Sequence, residues 1–313
     1  MLLEWSEKLR NIFRKYTRPE ANDLARTASR LTDKVLTLVD NMPAMPETAV
    51  QAVELANDPD CEMSQFARLI EGDAAITTTI LRVANSAFYA GGMPAVRLQQ
   101  AVVRLGVRPC QNMILAIGMR SLFRQISSNI RAQCERLWHH SYVVAYLSRQ
   151  INRSFRLGFD GEEFSAGLLH DLGRILLLLA DPACFERARA LEFREEDVLE
   201  RERDAIGVDH CALGAWFGEQ SRLPPTLIHV IRNHHEPVAS ERASDMVTLV
   251  AAADHVSNYL EMNGEPDGYN PDRNAGLMCL WARWSDEKRD RLLGELPVMM
   301  EAAIAAAKAE REN

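Results

Sequence analysis

Apolar residues recur at three- and four-residue intervals along most of the chain, and nowhere do apolar and polar residues alternate with the period of two that a half-buried strand requires. The expected fold class is therefore all-α. Val102, Val103 and Leu105, then Met113, Ile114 and Ile117, carry the pattern through residues 99–126, and Val143, Val144, Tyr146, Leu147 and Ile151 carry it through 131–152. Residues 2–16, LLEWSEKLRNIFRKY, place Leu2, Trp5, Leu9, Ile12, Phe13 and Tyr16 on one helical face, with Lys8, Arg10, Arg14 and Lys15 mostly around the others. Such a helix must dock. A basic amphipathic segment can lie on a membrane surface or a partner, but four basic residues anchor weakly alone, which favours the body of its own chain.

Breakers punctuate the pattern. From Asp40, DNMPAMPETAVQAVELANDPDCEMSQFARLIEGDAAITTTILRVANSAFY reads as loops and helices in turn: Pro43 and Pro46 bracket an extended approach, Asn57 to Asp60 break the chain, and Ser64 opens the next helix. Asn85 and Ser86 end a helix ahead of Gly91 and Gly92, a structural cap by type. NGEPDGYNPDRNAG, residues 263–276, is linker-like, and the tail after it ends in AAIAAAKAERE, whose high helix propensity and small apolar surface beyond alanine predict a helix with a solvated or frayed end.

Length allows two cooperating units or one large helical domain in 313 residues. With a net charge of -8, no global positive field exists to hold a phosphate backbone, so nucleic acid is not an expected partner. Cys61, Cys110, Cys134, Cys184, Cys211 and Cys279 form no C-x-x-C pair, which argues against a zinc ribbon or a disulfide framework and fits a reducing cytoplasm. No apolar run is long enough to span a bilayer, and Glu4 and Glu7 stand where a signal peptide carries its apolar core. Phosphate-loop, dinucleotide and nucleophile-elbow motifs are absent from the sequence, and Trp138, Trp216, Trp281 and Trp284 are spaced as core or interface anchors.

The chemistry lies in GLLHDLGRILLL, residues 167–178, where His170 and Asp171 stand directly against a strongly apolar run. Adjacent helical residues point about 100° apart, so both reach one centre only if the helix ends or tilts there and other helices add ligands. Candidates are His139 and His140 in LWHHSYVVA, His210 in GVDHCALGAWF, His234 and His235 in IRNHHEP, and Asp254 in VAAADHVSNY. Imidazole and carboxylate without thiolate suit Mn, Fe, Co, Ni, Zn or Mg, and Asp171 could bridge two such ions, polarising a phosphoryl group and activating a water. Val143, Val144 and Leu147 share a face with His140 rather than His139, which selects His140; between His234 and His235 the pattern does not choose, because Pro237 ends the helix just beyond.

The order His140, His170-Asp171, His210, His234-His235, Asp254 along a helical chain resembles the HD superfamily of metal-dependent phosphohydrolases, including the HD-GYP branch that hydrolyses cyclic di-GMP. NMPAMPE, IEGDAAITTTILRVANSAFY, LQQAVVRLGVRPCQNMIL, LWHHSYVVA, FSAGLLHDLGRILL and GVDHCALGAWFGEQSRLPPTLIHVIRNHHEP are together similar to the HDOD family, the HD-related output domain of bacterial signalling proteins, over about residues 36–262. The resemblance implies two helical lobes: a helical extension over 1–35, an N-terminal lobe over 36–130, a lobe like the HD phosphohydrolase core over 131–262, and a linker and helical tail over 263–313. It implies metal ligands at His140, His170, Asp171, His210, His234 or His235, and Asp254. The HD-GYP signature is replaced by HHEPVASERAS, and GYN at 268–270 lies too far downstream to supply it. Arg174 stands where many HD enzymes have lysine, a cation that meets phosphate in fork geometry.

Two functions follow as expectations. One is a regulatory output protein acting through a signalling partner or a nucleotide-type small ligand, without catalysis. The other is a phosphohydrolase acting on a nucleotide-type phosphoester, with Asp171 and Arg174 as catalytic residues, His140, His170, Asp171 and Asp254 around one ion, and His210 with His234 or His235 around a second.

Overall fold

The computed structural model describes residues 2–16, 22–41, 47–56, 61–85, 93–107, 109–111, 113–114, 128–159, 161–189, 198–221, 223–237 and 242–311. The approach at Pro43 and Pro46, the break from Asn57 to Asp60, and Ser86 with Gly91 and Gly92 lie outside these residues. Among the described residues every regular element is helical. In chain order they are α1 (Leu2–Tyr16), α2 (Asn22–Asn41), α3 (Glu47–Ala56), α4 (Met63–Ile70), α5 (Ala74–Ala84), α6 (Leu98–Leu105), α7 (Ser128–Phe155) and α8 (Glu162–Leu169). There follow α9 (Leu172–Ala180), α10 (Pro182–Arg189), α11 (Val198–Ile206), α12 (His210–Gln220), α13 (Pro225–Asn233), α14 (Arg242–Asn263), α15 (Ala275–Trp281) and α16 (Asp286–Arg311). The chain divides into two compact units, one of residues 1–42, 126–157 and 166–313, the other of 43–125 and 158–165.

The smaller unit buries Phe66, Ile70, Ile76, Ile80, Leu98, Val102 and Ile114 in one cluster drawn from α4, α5, α6 and the segment after it. Burying each such side chain contributes about 1.5–3 kcal/mol, which is what holds these short helices together. Asp73 caps α5 by accepting from the Ile76 amide at 3.0 Å. The Asn85 side chain donates to the Ala95 carbonyl at 2.8 Å and accepts from the Ala95 amide at 2.7 Å. It thus closes the chain across the segment that follows α5, a structural role of the kind its position suggests.

In the larger unit α14 is the central helix. Met246, Val247, Leu249, Val250, Ala252, Ala253, Val256 and Leu260 are buried around its circumference, as a helix surrounded by neighbours requires. It packs on α7, α13 and α15, while α9 packs on α12, α2, α7 and α10. α1 lies on α2 and α12 with Leu9 and Phe13 buried, so this part of its apolar face is used inside the chain. The helical tail is α16, whose Lys308 is exposed; the side chains beyond it lie outside the described residues. Leu292, Leu296, Met299 and Met300 are buried, and so are Ala303 and Ala307, because methyl side chains let α16 run close along α7. Among the described residues no helix is long and apolar enough to cross a membrane.

Candidate metal centre

Each candidate ligand sits where a helix starts, stops or crosses another. α8 ends at Leu169 and α9 begins at Leu172, so His170 and Asp171 occupy the turn between them, with Asp171 at φ -96°, ψ 22°. That turn lets neighbouring side chains face one centre. His210 is the first residue of α12, whose cap Asp209 accepts from the Ala212 amide at 2.7 Å and pairs with Arg203 at 2.6 Å. His234 is the helical cap closing α13, and His235 follows it in the turn. His140 and Asp254 project from the middles of α7 and α14.

Two glycines bring α9 against α12. A Cβ on Gly173 would stand 1.8 Å from the His210 carbonyl oxygen, and one on Gly214 would stand 2.8 Å from the Gly173 nitrogen. Only backbone without side chains at both positions permits this crossing, and it is what carries Asp171 to His210.

The side chains form two sets. In the first, His140 Nε2 lies 3.0 Å from Asp254 Oδ1 and 3.8 Å from Asp171 Oδ2, and His170 Nε2 lies 3.6 Å from each of those oxygens. In the second, His210 Nε2 lies 3.3 Å from His234 Nε2, 3.2 Å from His235 Nε2 and 3.3 Å from Asp171 Oδ1. His234 Nε2 is 3.5 Å from Asp171 Oδ1, so one carboxylate faces both sets. Arg174 Nε stands 3.3 Å from the same oxygen.

The ring orientations are fixed from behind. His170 Nδ1 donates to the Gly167 carbonyl at 2.7 Å and His234 Nδ1 to the Ile231 carbonyl at 3.1 Å. His210 Nδ1 faces Glu202 Oε2 at 2.7 Å, and His140 Nδ1 faces Ser257 Oγ and Glu261 Oε1, both at 3.2 Å. A neutral imidazole that spends its proton at Nδ1 presents a lone pair at Nε2, toward the centre.

These residues fit a cation. His170 Nε2 and Asp171 Oδ1 are buried without a hydrogen-bond partner, and His210 Nε2 has two further ring nitrogens at 3.3 and 3.2 Å with too few protons to share. Burial and the nearby Arg174 charge hold His210 well below its usual pKa; burial and the His234 ring do the same to His235. Burial would raise Asp171 and Asp254, but Arg174 and His170 outweigh it at the first and the adjacent His140 and His170 rings at the second, so both lie well below the carboxylate range. Neutral imidazole and ionised carboxylate are the ligand forms of these groups. At His140 burial opposes the charge, yet hydrogen bonds to Asp254 and Glu261 raise its pKa well above the ordinary value. A proton there takes the place a metal cation can take.

All seven predicted ligands, His140, His170, Asp171, His210, His234, His235 and Asp254, thus lie together, six of them buried and His235 half-buried, in groups able to hold a metal. The choice of His140 over the half-buried His139 agrees with the geometry, and both His234 and His235 turn inward. The sequence reading missed Glu202, Cys211, Ser257 and Glu261. Glu202 had a signal: Val198, Glu202 and Ile206 are the buried residues of α11, spaced i, i+4, i+8, so an acid interrupts an apolar stripe. Burial raises its pKa to about 7.

A sequence model of the HDOD domain matches residues 42–237. The crystal structure of an HDOD domain protein of unknown function from Geobacter sulfurreducens is 22% identical with a TM-score of 0.65, over 88% of this chain and 97% of that one. A Shewanella amazonensis SB2B protein provisionally named a phosphohydrolase is 21% identical with a TM-score of 0.64, over 88% and 97%. A Marinobacter aquaeolei VT8 protein provisionally named for signal transduction is 18% identical with a TM-score of 0.60, over 95% and 68%. An uncharacterized protein of Treponema pallidum (strain Nichols) is 25% identical over 247 residues, 78% of this chain, and the chain spans about half (47%) of that curated relative's length.

Proposed function

This chain belongs to the HDOD domain family, and we propose that it is a regulatory output protein of signal transduction built around a buried metal centre. The observation that carries the reading is the burial of the ligands: the side chains of His170, His210 and His234 have no exposure and that of Asp171 only 5%. Ligands drawn from α7, the α8–α9 turn, α12, the end of α13 and α14 are fastened by whatever ion they hold, so binding contributes to folding. Such a body transmits a bound or released ligand to its surface, where a signalling protein partner is recruited; a nucleotide-type small molecule is the alternative ligand. The name of the Marinobacter relative supports this role.

One observation favours a second reading. Asp171 faces both ligand sets and has Arg174 beside it, the arrangement a phosphohydrolase needs, and the Shewanella relative is named in that sense. Divalent ions held by His140, His170, Asp171 and Asp254, and by His210, His234 and His235, would supply a Lewis acid for a phosphoryl oxygen. Asp171 and Arg174 would be the catalytic residues: Arg174 would orient and neutralise the phosphate, Asp171 would hold the two sets in register, and Glu202 would keep His210 in its ligating tautomer.

Chelation combined with a phosphoesterase panel separates the two. The regulatory reading expects ion removal to lower the melting temperature by about 5–10 °C, from about 2.7 kcal/mol of linkage at a hundredfold excess over Kd. It also expects no turnover with added Mn²⁺. A turnover abolished by Asp171→Ala at unchanged melting temperature would replace it with the enzymatic reading. Pull-down of partners with and without residues 1–30 tests whether α1 recruits anything.

A further inference from the structure

Cys211 directly follows His210, is buried, and is used by neither function above. Its Sγ lies 3.5 Å from His210 Nε2 and 3.9 Å from His234 Nε2. The first matches the edge of a tetrahedron and the second is somewhat longer. Ion distances of about 2.0 Å to imidazole nitrogen and about 2.3 Å to thiolate place ligand atoms about 3.3 Å apart for a nitrogen pair and about 3.5 Å apart for sulfur and nitrogen. The observed nitrogen pairs are 3.3 Å for His210 with His234 and 3.2 Å for His210 with His235. All four donor atoms lie within 4.8 Å of one another, a group that does not include Asp171. Asp171 stands between the two sets, its Oδ2 toward His140 and His170 and its Oδ1 beside Arg174, His210 and His234.

We infer that Cys211 joins His210, His234 and His235 as the thiolate ligand of a thiophilic divalent ion of the zinc type, unlike the thiolate-free set of His140, His170 and Asp254. The inference rests on the metal-holding reading above and deepens it. Three imidazoles and a thiolate discriminate against magnesium and manganese, which prefer oxygen, whereas the first set accepts them. Among the described residues no other cysteine stands in such a group.

Cobalt(II) reads this directly. Full-length protein stripped by chelator and titrated with Co²⁺ is expected to show visible ligand-field bands together with a near-ultraviolet thiolate-to-cobalt charge-transfer band. Cys211→Ser is expected to abolish the charge-transfer band, keep the visible bands, and hold Zn²⁺ against a chelator about tenfold or more weakly. Visible bands without charge transfer in the wild-type protein would overturn the thiolate ligand and leave the metal-holding reading standing. No Co²⁺ binding at all would remove both. A charge-transfer band that survives Cys211→Ser would assign the sulfur elsewhere and equally refute the inference.

Discussion

Replacing Gly173 with alanine tests how the fold builds the centre. The new Cβ would stand 1.8 Å from the His210 carbonyl oxygen and 2.9 Å from the Gly214 nitrogen, both backbone atoms that no rotamer change can move. Real Cβ contacts stay beyond 3.0 Å, so α9 and α12 must separate by about 1 Å or more. Overpacking of this kind costs about 3 kcal/mol, and the gain in helix propensity of alanine over glycine returns at most about 1. A net loss of about 2–3 kcal/mol lowers the melting temperature by about 4–12 °C. The same displacement takes Asp171 Oδ1 away from His210 Nε2, now 3.3 Å distant, so ion retention falls with stability. Gly294→Ala is the control: that glycine is exposed in α16 with nothing within 4 Å of the added Cβ, and the variant should be unchanged or slightly more stable. Calorimetric melts and equilibrium dialysis with Zn²⁺ decide it. A Gly173→Ala protein that melts within about 1 °C of wild type and keeps its ion would refute the claim that this crossing sets the site.

Glu202→Gln keeps the shape but weakens the acceptor that holds the His210 amide at 2.9 Å and its Nδ1 at 2.7 Å; metal affinity should fall about 10–100-fold by dialysis, and unchanged affinity would count against the orientation argument. Asn274 is fully buried, donates to the Ala252 carbonyl and Tyr269 hydroxyl and caps α15 through the Leu277 amide, so Asn274→Ala should cost about 2–3 kcal/mol in urea unfolding. Burial would raise Asp181, but the Lys34 ammonium at 2.7 Å outweighs it and lowers the pKa, so this pair stabilises above the unfolded carboxyl pKa and the contribution is lost as pH falls through the folded one. Because Lys34 is one third exposed, Lys34→Met should cost only about 1 kcal/mol at pH 7, and the difference from wild type should vanish once the pH has fallen through the lowered Asp181 pKa; a difference that persists in stronger acid would exclude the ion pair as its cause.

Much of the helical layout was legible because its periods are local. The stripe of Val143, Val144 and Leu147 orients α7, and it placed His140 rather than His139 inward. The ligands were legible as residue types in order and as two expected sets, yet not atom by atom, because which nitrogen meets which oxygen depends on the α9–α12 crossing at Gly173 and Gly214, a contact between distant segments. His234 and His235 stayed undecided for a related reason: where a helix unwinds, two successive side chains can face one side, and no helical period describes that. Glu202 was hidden in a charged run that reads as solvated surface, and the thiol of Cys211 was hidden by its lack of a cysteine partner in sequence. Ala303 and Ala307 look too small to bury, yet their size is what allows α16 to pack closely.

The central claim is that the buried histidines and aspartates hold metal. Elemental analysis of full-length protein purified without chelator tests it most directly, and at least about one tightly held transition ion per chain is the expected result. Ion-free protein that is fully folded, and that neither binds nor is stabilised by added Zn²⁺, Mn²⁺ or Co²⁺, would contradict it.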